Sequence, residues 1–181
     1  MKKCGGCTLC CEIVPVKEIE VRSFQGCPHR TTFAHACGAG CGIYARRPGS
    51  CRTWDCGWLL SPELGEDTRP DRVGFVVDQW KDLVRVNEVD TAAAQIWVAP
   101  GHEEDWRTSV HAASVIRALL DQVGAVLWRI PPGTHARGFA LEEDGNIAYT
   151  ELRAYETDDG VLGDEVERNE RLNKLLKGKR R

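Results

Sequence analysis

Every cysteine of this 181-residue chain lies in its first third. Cys4, Cys7, Cys10, Cys11, Cys27, Cys37, Cys41, Cys51 and Cys56 are followed by no other cysteine. Such segregation sets two folding problems in one chain. A short segment buries too little apolar surface to hold its shape unaided, and cross-links or bound ions commonly make up the difference. The later two thirds must fold on an ordinary core. A disulfide framework is the simpler alternative for the first third, and it fits poorly. Nine is an odd count, no apolar signal segment follows Met1-Lys2-Lys3, and C-x2-C spacing suits chelation.

The spacing narrows the chemistry. Cys4-Gly5-Gly6-Cys7-Thr8-Leu9-Cys10-Cys11 offers three thiols at steps of three, enough for one turn of chain to wrap an ion. Gly5 and Gly6 allow amides to approach a sulfur closely. The run suits zinc, which takes four thiolates in a tetrahedron, and equally the opening of an iron–sulfur motif. Neighbouring side chains diverge, so Cys10 and Cys11 seldom share one ion without strain. A single zinc uses at most four ligands and would leave the other thiols idle. The expectation is therefore a polynuclear or multiple site with all nine cysteines as ligands. Two zincs, three zincs with bridging sulfurs, and an iron–sulfur cluster beside zinc all stay open. Zinc is favoured over iron or an iron–sulfur cluster. His29 and His35 stand among the cysteines, but nine sulfurs compete with them and neither is counted as a ligand.

The cysteine blocks also carry a resemblance. Cys4-x2-Cys7-x2-Cys10-Cys11 is followed by Gly40-Cys41-Gly42-Ile43-Tyr44-Ala45-Arg46-Arg47-Pro48-Gly49-Ser50-Cys51-Arg52-Thr53-Trp54-Asp55-Cys56. Together they resemble the CxxCxxCC family, described as zinc- or iron-chelating proteins, over roughly residues 4–60. The family's C-x-H-C element is altered here, since Arg30 follows Cys27-Pro28-His29 and the next cysteine is Cys37. The resemblance implies metal binding and brings no reaction with it. Flagellin lysine-N-methylase looks like a distant relative and supplies the enzymatic alternative, a redox protein or protein methyltransferase. Within the block, Arg47 and Arg52 are placed either to donate towards thiolates or to form ordinary salt bridges. Tyr44, Trp54 and Trp58 read as an apolar lid, and Pro48 as a fixed bend before Cys51.

From residue 72 the pattern becomes ordinary α+β. Residues 73–77 and 82–86 read as two strands joined by a polar turn at 78–81, residues 95–99 as a third, and 125–130 as a fourth. Residues 137–141 and 146–150 read as a hairpin around Asp144-Gly145. Trp106, Val110, Ala113, Ile116, Leu119, Leu120 and Val123 recur at helical steps and predict a helix over 102–122. The expected fold is an irregular, metal-stapled cysteine-rich segment followed by a mostly antiparallel sheet of five or six strands with one main helix on it. The domains are expected at 1–60 (metal-binding), 61–160 (sheet) and 161–181 (charged helix or tail).

No constellation points to catalysis. His102-Glu103-Glu104-Asp105 lacks the second histidine of a zinc-protease helix, and no phosphate loop is present. Hydrophobic residues make up 42% and charged residues 28%, which excludes a disordered chain. A net charge of −3 gives no reason to expect nucleic acid, and the basic end at Lys177–Arg181 reads as a solvated tail. No apolar run reaches the roughly 20 residues of a membrane span. The expected partners are metal ions and possible protein contacts, in the cytoplasm, where thiols stay reduced. A zinc-knuckle interaction module is the remaining alternative.

Overall fold

The computed structural model describes residues 2, 4, 6–31, 40–86, 89–130, 136–141, 147–150 and 153–154. Cys37, His35, the turn at Asp144-Gly145 and the segment 161–181 lie outside these residues.

The chain before the sheet is built from short pieces: α1 (Leu9–Ile13), α2 (Gly49–Thr53), α3 (Gly57–Leu60) and α4 (Pro70–Val73). None is long enough to persist without packing. They lead into β1 (Phe75–Val86) and β2 (Val89–Val98), then α5 (Asp105–Thr108) and α6 (Val110–Val123). The strands β3 (Ala125–Arg129), β4 (Ala136–Leu141), β5 (Ile147–Thr150) and β6 (Arg153–Ala154) follow. The class is α+β, as the residue pattern implies.

The strands form one sheet in the order β5-β4-β3-β2-β1-β6. All neighbours are antiparallel except β2 and β3, which run parallel. A parallel pair needs a crossover, and α5 with α6 provides it. Two strand expectations merge here. The segments 73–77 and 82–86 belong to one long strand, and the polar residues between them form a register irregularity from Asp78 to Asp82 instead of a turn.

Alternation along the strands sends side chains to two faces. Phe75 and Val77, Ala92, Ala94, Ile96 and Val98, and Val126 and Trp128 meet α6 in one core. Val76, Trp97 and Ala99 face the other way, against the cysteine-bearing segment. The helix is shorter than periodicity predicts. Ser109 breaks away from α5 and caps α6, accepting from the Ala112 amide at 3.2 Å. Gly124 ends α6 in the left-handed region at φ 86°, where glycine carries no Cβ penalty. The buried face is Ala112, Val115, Ile116, Leu119, Leu120 and Val123. Val110, expected inside, is 80% exposed because it opens the first turn.

Leu120 is 1% exposed at the centre of the helix–sheet core. Leu120→Ala removes buried methyl groups from a close-packed site and is expected to cost about 2–5 kcal/mol. Urea unfolding followed by far-UV circular dichroism measures it, and a change within error of zero would contradict this core assignment.

Candidate metal centre

Short backbone ladders, not long elements, position the thiols. Alongside α1, the amides of Phe24, Gly26 and Cys27 donate to the carbonyls of Ile13, Glu12 and Cys11, the last at 2.7 Å. The chain then doubles back through an Arg30–Cys41 bridge, with Thr31 N–H on Gly40 O and Gly42 N–H on His29 O. These contacts set the backbone of Cys27 beside Cys11 and that of Cys41 beside Arg30. Gly40 must be glycine: a Cβ there would lie 2.2 Å from the Thr31 carbonyl oxygen. The Glu18 carboxylate binds both the amide (2.9 Å) and hydroxyl (2.7 Å) of Ser50, which fixes the start of α2 and hence Cys51. Those bonds hold the Glu18 carboxyl below its ordinary range.

On the other side, Cys4, Cys7, Cys10 and Cys56 line one cavity with Trp58, Pro70 and Val76. Cys7 and Cys56 are buried, and Cys56 immediately precedes α3. Gly57 lets α3 approach the sheet, since a Cβ would stand 2.5 Å from Val77 Cγ1. Lys2 holds the chain end over this helix. Its Nζ donates to the Trp58 carbonyl at 3.0 Å and to those of Ser61 and Leu64, and lies 4.7 Å from the centre of the Trp58 ring. Lysine at a helix C-terminus offsets the dipole there.

Burial raises the Cys4, Cys7 and Cys51 thiols above their ordinary value and pushes Cys56 up to about 11. Neighbouring thiols add to the effect: Cys4 and Cys7 on Cys56, and Cys11 and Cys27 on Cys51. Cys10 and Cys11 part company. The Cys10 thiol donates to the Cys11 sulfur, which raises Cys10 and lowers Cys11 to about 7, with Arg30 and Arg47 helping Cys11. Backbone amides also favour thiolate. Those of Leu9 and Asp71 face the Cys7 sulfur, and those of Leu59 and Trp58 face Cys56 without closing a capping hydrogen bond.

The eight described cysteines are all free thiols. Donor chemistry of this kind fits a soft or borderline ion such as zinc or iron. The arrangement is looser than the chemistry. Among the described residues, no three His, Cys, Asp or Glu side chains stand together as a group able to hold one ion. Cys4, Cys7, Cys10 and Cys56 border one cavity without meeting at a point. His29 is half-buried and engaged through its carbonyl with Gly42. Arg52 is exposed, whereas Arg47 lies 4.0 Å over the Tyr44 ring and within reach of thiol charge. Trp58 lines the cavity, and Trp54 packs against the same apolar cluster while its Nε1 donates to Asp78 at 2.7 Å.

The residue pattern missed three contributors. Lys2 carries no assigned role in the residue pattern, yet its Nζ reaches three backbone carbonyls. Arg30, ion-paired with Glu12, reads as part of an insertion. Asp78 reads as a turn residue, yet it accepts from Trp54 Nε1, from Gln95 Nε2 at 3.0 Å and from Trp97 Nε1 at 3.2 Å. Three nearby side-chain donors aimed at one strand carboxylate leave no local sequence signal.

Comparison of the chain with family models, curated proteins and solved structures returns no match. The resemblance drawn from the two cysteine blocks therefore stands on those residues alone. No helix among the described residues is long and apolar enough to cross a membrane.

Thiolate is the reactive form of cysteine, and Cys11 is half ionised near pH 7. Iodoacetamide added to the metal-free chain at pH 7 is expected to modify Cys11 before Cys4, Cys7, Cys51 or Cys56. Peptide mapping by mass spectrometry reads the order, and equal labelling of all five would refute it.

Proposed function

We propose that the amino-terminal segment binds metal through cysteine thiolates, zinc in preference to iron or an iron–sulfur cluster. One observation carries the reading: Cys4, Cys7, Cys10 and Cys56, drawn from two stretches far apart in the chain, border a single cavity. Amides facing two of these sulfurs support it, because N–H groups oriented at sulfur favour the ionised, ligating form. The likeness of residues 4–60 to zinc- or iron-chelating proteins points the same way. The thiols must turn inward to close on an ion. Binding of this kind releases protons and contributes directly to folding of the segment that supplies the ligands. A bound ion would supply the cross-link that these short helices lack. Cys37 is counted with the ligand set on the sequence argument, and a reducing setting such as the cytoplasm suits thiols kept ready for metal.

Elemental analysis after anaerobic purification, read with the visible spectrum, tests the proposal. A colourless protein with stoichiometric zinc is the expected result, and strong visible absorption with iron would replace zinc by the iron–sulfur form. Protein that takes up neither metal on reconstitution sinks the reading. Removing the ion with a strong chelator is expected to make residues 4–60 protease-sensitive while the sheet keeps its circular dichroism.

A further inference from the structure

The helix α3 ends against a proline, and that leaves carbonyls without amides. Its last turn closes with the Ser61 amide on the Gly57 carbonyl at 2.9 Å. The following amide would serve the Trp58 carbonyl, but residue 62 is proline and has no N–H. The chain then turns back, Leu64 N–H donating to Ser61 O at 3.2 Å. The carbonyls of Trp58, Ser61 and Leu64 thereby converge on the Nζ of Lys2, which stands 4.7 Å from the centre of the Trp58 ring. An ammonium has three N–H donors and no acceptor. Three carbonyl oxygens with an aromatic ring beside them match it donor for donor.

This cage shares a residue with the thiol cavity. Trp58 lines the cavity with Cys4, Cys7, Cys10 and Cys56, while its carbonyl holds Lys2 and its Nε1 donates to Gly65 O at 2.9 Å. Lys2 is two residues from Cys4, a reach of at most about 7 Å. The Cys7 amide in turn donates to the Cys4 carbonyl at 3.0 Å. Fixing the Lys2 ammonium therefore confines the limb that carries two of the four thiols.

We propose that the carbonyls of Trp58, Ser61 and Leu64 form an alkylammonium site that the chain fills with its own Lys2, and that this latch controls entry to the cavity of Cys4, Cys7, Cys10 and Cys56. With the latch seated, Cys7 and Cys56 are buried. With it released, the limb bearing Cys4 moves off α3 and thiol-seeking ions or reagents reach the cavity. The latch sets access and does not depend on which ion, if any, the thiols take.

Thiol labelling of the full chain by N-ethylmaleimide, under anaerobic reducing-agent-free conditions with no metal added, tests this. Lys2→Ala is expected to speed labelling of Cys4, Cys7 and Cys56 by about ten-fold or more, the shift in local opening that follows from losing a charge-assisted hydrogen bond. The same change at the exposed Lys17, Lys17→Ala, should leave those rates alone. Butylammonium, which replaces the missing side chain, is expected to restore protection of Lys2→Ala at constant ionic strength; tetramethylammonium, a cation without N–H donors, is not. Because Lys2→Ala can loosen the segment for other reasons, nitrogen-15 NMR of lysine ammonium groups in the wild type gives an independent reading. One ammonium signal protected from solvent exchange is expected, lost in Lys2→Ala and kept in Lys17→Ala. Unchanged labelling in Lys2→Ala, or acceleration that butylammonium leaves in place, overturns the latch. Equal rescue by tetramethylammonium, or a wild type with no protected lysine ammonium, overturns the carbonyl cage. Each readout is taken without metal, so failure here is separate from failure of the metal-binding reading.

Discussion

The fold depends on a sheet that is covered on both faces by different kinds of structure. On one face α6 supplies a continuous apolar stripe, and the resulting core contains no cysteine. On the other, Val76, Trp97 and Ala99 are covered by Leu9, Ile13, Trp58 and the thiols Cys7 and Cys56. Without that second layer, large apolar side chains of the sheet would face water, at roughly 25 cal/mol per Å2 exposed. The cysteine-bearing segment is thus a wall of the core as well as a source of sulfur. Contacts of α1, α3 and α4 with β1 fix its position.

Polar groups secure the same boundary. Asp78 collects Trp54 from the first third and Gln95 and Trp97 from β2. Gln95 in turn accepts from Arg129, whose guanidinium lies 5.5 Å from the centre of the Trp97 ring. A partly buried carboxylate with several directed donors fixes orientation as well as distance, because each N–H must point at it. The register irregularity at Asp78 belongs to this arrangement: the strand gives up regular pairing where its carboxylate anchors the neighbouring segment.

The sequence pattern was most legible where one periodicity governs a whole element. Hydrophobic spacing located α6 and the strands near 95–99 and 125–130, since burial of one face is a local, repeating signal. It failed where a single residue decides. Ser109 caps α6 and ends α5, and nothing in the apolar pattern separates the two. Residues 78–81 look like a turn by polarity, yet Asp78 is polar because Trp54, Gln95 and Trp97 come to it. In the first third, cysteine spacing marked the thiol-rich segment but not which four thiols, Cys4, Cys7, Cys10 and Cys56, border one cavity. The chain path there follows from ladders between residues 11–13 and 24–27, which no side-chain period encodes.

Burial of these thiols sets their charge. A protonated thiol in an apolar environment behaves as a small hydrophobe, and burial keeps Cys7 and Cys56 in that form. Without an ion they fill space against Val76 and Trp58. Ionising one of them in place would bury a charge, which is costly unless paired. The amides facing Cys7 and Cys56 reduce that cost only in part, since burial still outweighs them in setting the direction of both shifts. An ion that replaces the proton supplies the missing positive charge at the sulfur itself. If the segment binds metal as proposed, the side chains that would carry the ion are the same ones that complete this apolar wall.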